Sequence, residues 1–406
     1  MTTTQAAVAF RAQGYPWRLY CGPDAITSLG DEVRRAGARR TFMLCGKTIA
    51  GQTDLVARVH GACGEAFAGV YDGMDKDATF PAIMRGVEAA RAAGADLLVA
   101  VGGGSVIHGS RVVAILLAEQ GDPYALMTQY PEGKPAYSPR LLAPKPPIVN
   151  VPTTPTSAMN RAGSALKNDE LDHRMEFFDP KTRPVAIVWD HGALLTAPLE
   201  LLRSTATTTF LGALTALGTT AANPLVAGDN RQAFALAHGA LGRLPREPEN
   251  VQLRIDLCAA AFLQNRAADD GAGRERDAAA SASYALATAL HIRYHHVGQG
   301  EATAAVLPAC LRRLPPQRVE SIQAIAAGLG VWRDGMTTEA ASNAAAEALE
   351  GLLAKAGMPS RLRELRIPEA DLPQIAQDTL KNFNANPGER PADYAERMLA
   401  LLHAAW

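Results

Sequence analysis

The sequence lacks a long apolar run, a secretion signal and any block of like charges. No apolar stretch approaches the roughly 18 residues that a membrane-spanning helix needs. The N-terminal segment MTTTQAAVAFRAQGYPWRLY contains no basic stretch followed by an apolar run. Forty basic and 41 acidic side chains are scattered along the chain and leave a net charge of −1. Nucleic acid and anionic membranes are therefore not expected as partners, and we expect a cytoplasmic protein that binds a small molecule.

Cysteine is scarce, and its spacing forms no known pattern. The five cysteines are widely separated, lie mostly among apolar neighbours and include no CxxC pair: Cys21, Cys45, Cys63, Cys258 and Cys310. This spacing argues against a disulfide framework and against a zinc ribbon. It predicts buried free thiols in a reducing compartment.

The chain has 406 residues, more than one hydrophobic core usually serves, so two domains are expected. Between residues 40 and 180, short apolar runs such as RTFMLC and DLLVAV alternate with amphipathic helical stretches. This order predicts a parallel sheet covered by helices on both faces. From about residue 195 the sequence is rich in alanine and leucine at helical spacing. We therefore predict an α/β dinucleotide-binding domain over residues 1–190 and an all-α domain over 191–406.

The segment VGGGSVIHGSR, residues 101–111, joins a hydrophobic strand directly to a helix. Glycines in that position let the backbone approach a pyrophosphate, which the free amides and the positive end of the helix bind. A tight strand-to-helix turn is the structural alternative. The usual GxGxxG spacing of a Rossmann fold is absent.

This segment resembles the GGGSxxDxxK signature of the iron-containing alcohol dehydrogenases, with His108 at the Asp and Arg111 at the Lys. The resemblance continues through VPTTPTS (151–157) and QGEATAAVLP (299–308). Between these two segments, a further set of residues follows the family layout without a gap: Arg174, Asp179, Pro180, Pro184, Asp190, Pro198 and Thr205. The resemblance implies that family's dehydroquinate-synthase-like architecture. It also implies an NAD(P)-dependent dehydrogenase or carbonyl reductase, and a homodimer.

The resemblance also implies which residues bind the dinucleotide. Gly102, Gly103, Gly104 and Ser105 would hold the pyrophosphate, and Thr153 and Thr154 would flank the adenosine and the phosphates. Ser157 would also contact the cofactor, and Arg174 would lie near the nicotinamide ribose. Members that prefer NAD usually carry an Asp after the first strand, to bind the ribose 2′-hydroxyl. This chain has Gly46 there, followed by Lys47. A lysine without a carboxylate favours NADP over NAD, although Lys47 can also be a solvated loop charge.

The family binds a divalent metal through one Asp and three His, and this chain has other residues at those places. Thr208 and Gly212 replace the first two ligands, the third falls near Ala285, and Gln299 replaces the fourth. None of these is a credible iron or zinc ligand, so we predict no metal. His291 and His295 could rebuild a site at helical spacing, but no carboxylate at the family position joins them.

A metal-free enzyme needs another group to stabilise the developing alkoxide. The candidates are Thr208 (or Thr207) and Gln299 as hydrogen-bond donors, and His295 or His296 as a general acid. Arg161 and Arg293 could bind a carboxylate of the substrate. Each of these residues also has an ordinary structural interpretation as helix surface, core or solvated charge.

Two functions remain open. One is a metal-independent, NAD(P)-dependent oxidoreductase for the carbonyl or alcohol of a small substrate, carboxylated as in the maleylacetate reductase branch. The other is a non-redox or repurposed protein of the same fold that binds a dinucleotide. Dehydroquinate-synthase-like and glycerol-phosphate dehydrogenase activities share the architecture, but they too need a metal with His ligands.

Overall fold

The computed structural model describes residues 9–132, 134–219, 222–269, 277–316, 318–382 and 392–406. Eight strands are found in this part of the chain: β1 Arg18–Gly22, β2 Thr41–Leu44, β3 Phe67–Tyr71, β4 Leu97–Gly102, β5 Ile148–Pro152, β6 Gly163–Leu166, β7 Met175–Phe178 and β8 Ala186–Asp190. Six of them form one sheet in the order β1-β8-β5-β4-β2-β3, and all its neighbours are parallel. β6 and β7 form a separate antiparallel pair.

Six α-helices lie between the strands: α1 Leu29–Ala36, α2 Lys47–Gln52, α3 Leu55–Cys63, α4 Phe80–Ala92, α5 Gly104–Ala118 and α6 Pro123–Leu126. Successive side chains of a strand point to opposite faces of the sheet. Leu98 accordingly joins the core under α4 and α5, whereas its neighbour Val99 joins the core under α1 and α3. The predicted parallel sheet with two covered faces is confirmed.

After β8 the described chain is helical, with ten α-helices: α7 His191–Leu195, α8 Leu199–Leu217, α9 Pro224–Arg243, α10 Val251–Asp269, α11 Ala278–Arg293, α12 Gln299–Arg313, α13 Val319–Gly328, α14 Thr338–Lys355, α15 Leu372–Asp378 and α16 Tyr394–Ala405. Short 3₁₀ turns complete the chain at Ala25–Ser28, Gly64–Ala66, Pro180–Thr182, Leu362–Leu365 and Glu369–Asp371. Alanine and leucine dominate the core of this helical half. Small side chains let helices approach closely, and the predicted helical half is confirmed. The division of the chain at residues 190 and 191 stays a prediction.

Asp190 joins the last strand of the sheet to the first helix that follows it. Its carboxylate is fully buried and receives two hydrogen bonds of 2.8 Å from Arg58. The backbone amides of Ile26 and Ala193 also donate to it, at 3.1 and 3.0 Å. A buried carboxylate is stable only when its lone pairs are satisfied in this way. Asp190 therefore fixes the direction in which the chain leaves the sheet.

All five cysteines are free. Four of them are buried as predicted, and burial raises the pKa of Cys45 to about 12 and that of Cys63 to about 11. Cys21 differs from the prediction, because it lies in the edge strand β1 and is exposed. None of the helices that the structure describes combines the length and the apolar composition that crossing a membrane requires.

Candidate functional site

The glycine loop, residues 102–104, connects the carboxyl end of β4 to α5. The surrounding atoms leave little room for side chains in this loop. Gly102 has φ +156°, a conformation that L side chains rarely adopt, and a β-carbon there would lie 2.6 Å from Val106 Cγ2. A β-carbon on Gly103 would lie 3.3 Å from Thr154 Oγ1. Glycine at these positions therefore leaves the space above the loop open to a ligand, and we call this space the glycine cradle.

Polar groups line this cradle. Gly103 precedes α5 and supplies no side-chain cap, and the first backbone bond of the helix runs from Ile107 N to Gly103 O at 3.2 Å. The amides before Ile107 thus point out of the helix as donors. Ser105 Oγ accepts the backbone N–H of Asp77 at 3.1 Å, which leaves its own proton to donate. These groups fit a dinucleotide pyrophosphate.

The threonine segment after β5 lies beside the loop. Thr153 N donates to Gly102 O at 3.1 Å, and the Thr154 hydroxyl is buried with no hydrogen-bond partner in the described chain. An unpartnered buried hydroxyl facing the cradle fits a ligand that supplies the missing partner. Ser157 is exposed, and its carbonyl accepts from Asn265 Nδ2 at 2.8 Å. The structure thus brings Thr153 and Thr154 to the loop and places Ser157 against α10.

Gly46 and Lys47 follow β2, which is the neighbour of β4, so they lie at the same edge of the sheet as the glycine loop. A β-carbon on Gly46 would lie 3.0 Å from Met74 O, so a larger residue would crowd the backbone there. Lys47 is exposed at the start of α2, and its side chain makes no ion pair with any described residue. No carboxylate occupies the position of Gly46.

Arg174 lines a cavity of about 290 Å³ between the β6–β7 hairpin and helices α11 and α15. Its guanidinium makes no hydrogen bond or ion pair with the residues that the structure describes. On the opposite wall, Thr288 Oγ1 is buried and has no partner in the same part of the chain. Arg293 also lines the cavity, but it donates to Asp378 at 2.9 Å. Arg174 is therefore the wall residue available to an anion.

Two further arginines, Arg111 and Arg161, lie close to Arg174 around the side chain of His108. His108 is partly buried, and burial together with the charges of Arg111, Arg174 and Arg161 lowers its pKa well below the usual value. Arg111 is fully buried, where burial and the neighbouring Arg161 lower its pKa to about 9, and it donates to Gly163 O at 2.5 Å. His108 is therefore neutral, and its Nδ1 has no partner in the described chain. Arg111 and Arg161 add positive charge on this side of Arg174, whereas Asp172, Glu176 and Asp378 line the cavity itself.

The four positions that the resemblance assigns to metal ligands do not form a donor set. Thr208 Oγ1 donates to Ser204 O at 3.1 Å, so its proton is committed to the backbone. Gly212 has no side chain, and Ala285 offers only a buried methyl group. Among the described residues, no group of three or more His, Cys, Asp or Glu could hold an ion. These side chains do not fit a divalent metal.

Gln264 of α10 occupies the space beside Gly212. A β-carbon on Gly212 would lie 2.5 Å from Gln264 Oε1, and Gln264 Nε2 donates to Thr209 O at 3.0 Å. Helices α8 and α12 are also in close contact, since Ser204 Oγ donates to Glu301 at 2.6 Å. Gln299 begins α12 beside this contact. Its side-chain amide makes no hydrogen bond within the described chain, so it is free to donate.

The three histidines at the end of α11 have different surroundings. His291 Nε2 lies 3.0 Å from Asp77 Oδ1, and its Nδ1 lies 2.8 Å from Val297 O. His295 is 71% exposed, with Nδ1 3.6 Å from Asp77 Oδ2, which is too long for a hydrogen bond. His296 is exposed, and its Nε2 lies 3.0 Å from Leu365 O. His291 is therefore the one of the three whose ring lies within hydrogen-bond distance of the α/β half in the described chain.

Asp77 is ionised in this arrangement. Burial alone would raise the pKa of its carboxyl group, but the hydrogen bond and charge of His291, with Lys76 and His295, bring the pKa below its usual value. Asp77, Gln264 and Thr288 did not emerge from the sequence patterns. A carboxylate just beyond β3, at the carboxyl edge of a parallel sheet, was the one available signal for Asp77.

Comparison with known proteins supports the same architecture across the chain. The family described as iron-containing alcohol dehydrogenase matches residues 16–191, and its C-terminal counterpart matches residues 205–406. Lactaldehyde reductase of Escherichia coli K12 is 27% identical over 403 residues, covering 95% of this chain and 97% of the relative. Maleylacetate reductase 2 of Cupriavidus pinatubonensis is 41% identical over 115 residues, covering 26% of this chain and 31% of the relative.

A crystal structure of a 1,3-propanediol oxidoreductase, 24% identical in sequence, superposes with a TM-score of 0.83. The match covers 98% of this chain and 100% of that chain. The two family matches together span nearly all of the sequence from residue 16 onwards. The chain therefore belongs to the iron-containing alcohol dehydrogenase family and is an oxidoreductase.

Proposed function

We propose that this enzyme reduces a carbonyl group of a small substrate, or oxidises the corresponding alcohol, with NAD(P) and without a metal. The observation that carries the proposal is the contrast between the glycine loop and the positions that correspond to metal ligands. The glycine cradle with its free amides, Ser105 and Thr154 suits a dinucleotide. The positions of Thr208, Gly212, Ala285 and Gln299 supply no metal-ligand set.

NADP is the proposed cofactor. Gly46 leaves no carboxylate to repel a 2′-phosphate, and the exposed Lys47 beside it has no partner in the described chain. A lysine ammonium is a suitable point charge for a phosphate. We also propose that the protein is cytoplasmic and forms a homodimer. Light scattering of the purified protein measures its mass in solution and so tests the dimer.

The bound dinucleotide would exchange a hydride with the substrate carbon. The chain's own residues must then stabilise the charge that develops on the substrate oxygen, a task usually worth several kcal/mol. The Thr208 proton is already donated to Ser204 O, so the free amide of Gln299 is the better donor. The His295 side chain is 71% exposed and therefore accessible to solvent. His296 is turned to Leu365 and is the weakest of the four candidates.

A carboxylated substrate is proposed on the evidence of Arg174. Its guanidinium lines the cavity without a partner in the described chain, and the charges of Arg111 and Arg161 lie close to it around the neutral His108. Arg293, the other arginine of the wall, is already paired with Asp378. Arg174 would therefore bind the substrate carboxylate, and the similarity to maleylacetate reductases agrees with such a substrate.

The test is turnover in the absence of metal. The protein is purified with a chelator, its metal content is measured by plasma mass spectrometry, and NADPH oxidation is followed with neutral and carboxylated carbonyl compounds. We expect turnover that survives the chelator and is not increased by added iron or zinc. Activity that disappears with the chelator and returns with iron would refute metal independence. Tight NADPH binding without any turnover would instead favour the non-redox dinucleotide-binding protein.

A further inference from the structure

The loop that carries Asp77 connects β3 to α4 and has a strained backbone. Asp77 and Ala78 have φ values of 67° and 50°, in the left-handed region that residues other than glycine seldom occupy. Lys167 N donates to Asp77 O at 3.3 Å, and Asp75 accepts from the backbone and hydroxyl of Thr79 at 2.8 and 2.6 Å. Surrounding contacts thus hold an unfavourable conformation, which is common at functional sites.

This loop reaches the helical half through the side chain of Asp77. The carboxylate lies 3.0 Å from His291 Nε2, and the two side chains are 11% and 15% exposed. The other ring nitrogen of His291 lies 2.8 Å from Val297 O. Both neighbours of the ring are acceptors, so the two contacts hold the ring between Asp77 and the backbone of Val297. Lys76 adds a contact from its ammonium group to His295 O.

The backbone of the same residue reaches the glycine loop. Asp77 N donates to Ser105 Oγ at 3.1 Å, in the first turn of α5. Since Ser105 uses its oxygen as the acceptor, its proton points to another acceptor, such as a phosphate oxygen. Asp77 therefore contacts the phosphate cradle with its amide and the helical half with its carboxylate.

We propose that Asp77 and His291 are positioning residues that couple the phosphate cradle to the helical half, so that dinucleotide binding depends on their contact. This inference rests on the proposed function for the identity of the ligand. An incidental surface ion pair would be exposed and would contribute little. This pair is largely buried, joins the two halves and is linked by one strained residue to Ser105.

The first test needs no ligand, and hydrogen exchange of the whole protein is its readout. The variant H291A is compared with H296A, which removes a neighbouring histidine whose contacts, with Leu365 O and the ring of Tyr294, both lie within the helical half. We expect H291A to speed amide exchange in segments 75–79 and 103–107 of the other half, while H296A leaves them unchanged. Unchanged exchange in both segments of H291A would overturn the proposal.

The second test measures NADPH affinity by fluorescence for D77N, H291A and the double variant. D77N retains the backbone amide that Ser105 accepts. We expect each single change to weaken binding about tenfold, in the range of typical coupling between sites, and the double variant to be no weaker than either single one. Additive losses, or an unchanged dissociation constant, would refute the coupling. If the unmodified protein binds neither NADH nor NADPH, the proposed function fails, whereas the exchange experiment still decides the coupling.

Discussion

The amide of Gln264 lies where a side chain at Gly212 would begin, since a β-carbon there would be 2.5 Å from Gln264 Oε1. Gln264 is held in that place by its donation to Thr209 O. The position that the family resemblance assigns to a histidine ligand is thus filled from another helix. Reinstating a metal at this place requires more than exchanging the ligand residues, because α10 has packed into the space.

A histidine at position 212 should therefore be tolerated poorly. We expect G212H to lower the free energy of unfolding by about 1–3 kcal/mol, the usual range for overpacking, and Q264A to recover most of this loss. Urea unfolding of G212H and G212H/Q264A measures the effect. The matched control is G239H in α9, where a β-carbon meets nothing within 4 Å. Equal losses in G212H and G239H would contradict the packing argument.

A methyl group at Gly103 should impair dinucleotide binding more than folding. The new carbon would enter the cradle 3.3 Å from Thr154 Oγ1 and hinder the approach of a phosphate. We expect G103A to weaken NADPH binding at least about tenfold, the loss of one charge-assisted hydrogen bond, as measured by calorimetry. Its melting temperature should stay close to that of G239A. Unimpaired binding in G103A would show that the pyrophosphate lies elsewhere.

Removing the positive charge of Arg174 should distinguish substrates. With R174Q we expect kcat/KM for a carboxylated carbonyl compound to fall about 10- to 100-fold, as for the loss of a charged hydrogen bond. The methyl ester of the same compound should be affected far less. R293Q is the control, because Arg293 is already bound to Asp378. Similar losses for acid and ester would argue against a carboxylate at Arg174.

Exchanging the charge of Lys47 should change the preference between the two cofactors. We expect K47E to raise the ratio of the NADPH to the NADH dissociation constant about tenfold or more, since a carboxylate repels the 2′-phosphate. The effect should weaken at high salt, because the side chain is exposed. Fluorescence titration with both dinucleotides measures the ratio. The control is K355E, which reverses the charge of a lysine on the helical half. Lys145 is not suitable for this purpose, because it is buried against Asp179. An unchanged ratio in K47E would place the 2′-phosphate away from α2.

The stability of the fold should depend on pH through Glu176. Burial raises the pKa of its carboxyl group above 4.5, despite the hydroxyl of Tyr130 and the charge of Arg174. The folded chain therefore holds this proton more tightly than the unfolded chain does. Wild-type stability, relative to E176Q, should fall as pH rises from about 4.5 through the folded pKa. Thermal unfolding across this range measures the difference between the two proteins.

The control for this pH dependence is E170Q, because Glu170 is exposed and accepts the hydroxyl of Tyr124 in a similar pair. The pH-dependent difference from the wild type should be larger for the buried Glu176 than for this exposed residue. A pH-independent difference between E176Q and the wild type would mean that Glu176 does not titrate in this range.

The sheet and the glycine loop could be predicted because their causes are local. A run such as DLLVAV, followed by three glycines and a helical pattern, already determines a buried strand and a tight entry into α5. The choice among the three histidines could not be made in the same way. α11 ends at Arg293, so His295 and His296 lie beyond its last turn, whereas His291 remains on the helix. The end of that helix depends on packing and not on the local pattern.

The position of Gln264 also could not be predicted from the sequence. The sequence showed that Gly212 stands where the family has a histidine ligand. It did not show that Gln264 of α10 fills the space beside Gly212. The partners of a vacated position are set by how α8 and α10 pack, and no local spacing records this. Asp77 and His291 likewise meet only when the two halves of the chain are folded together.

The order of the strands also constrains how the protein is made. Within the described part of the chain, β1 pairs only with β8, in register from Arg18 with Ala186 to Gly22 with Asp190. Of the six strands in this sheet, β1 is synthesised first, and it finds its partner only when β8, the last of the six, has been made. During that interval its edge is open to pairing with other chains. Chaperone dependence during synthesis should accordingly be concentrated in the interval before residue 190 emerges, and it should decline once the helices follow.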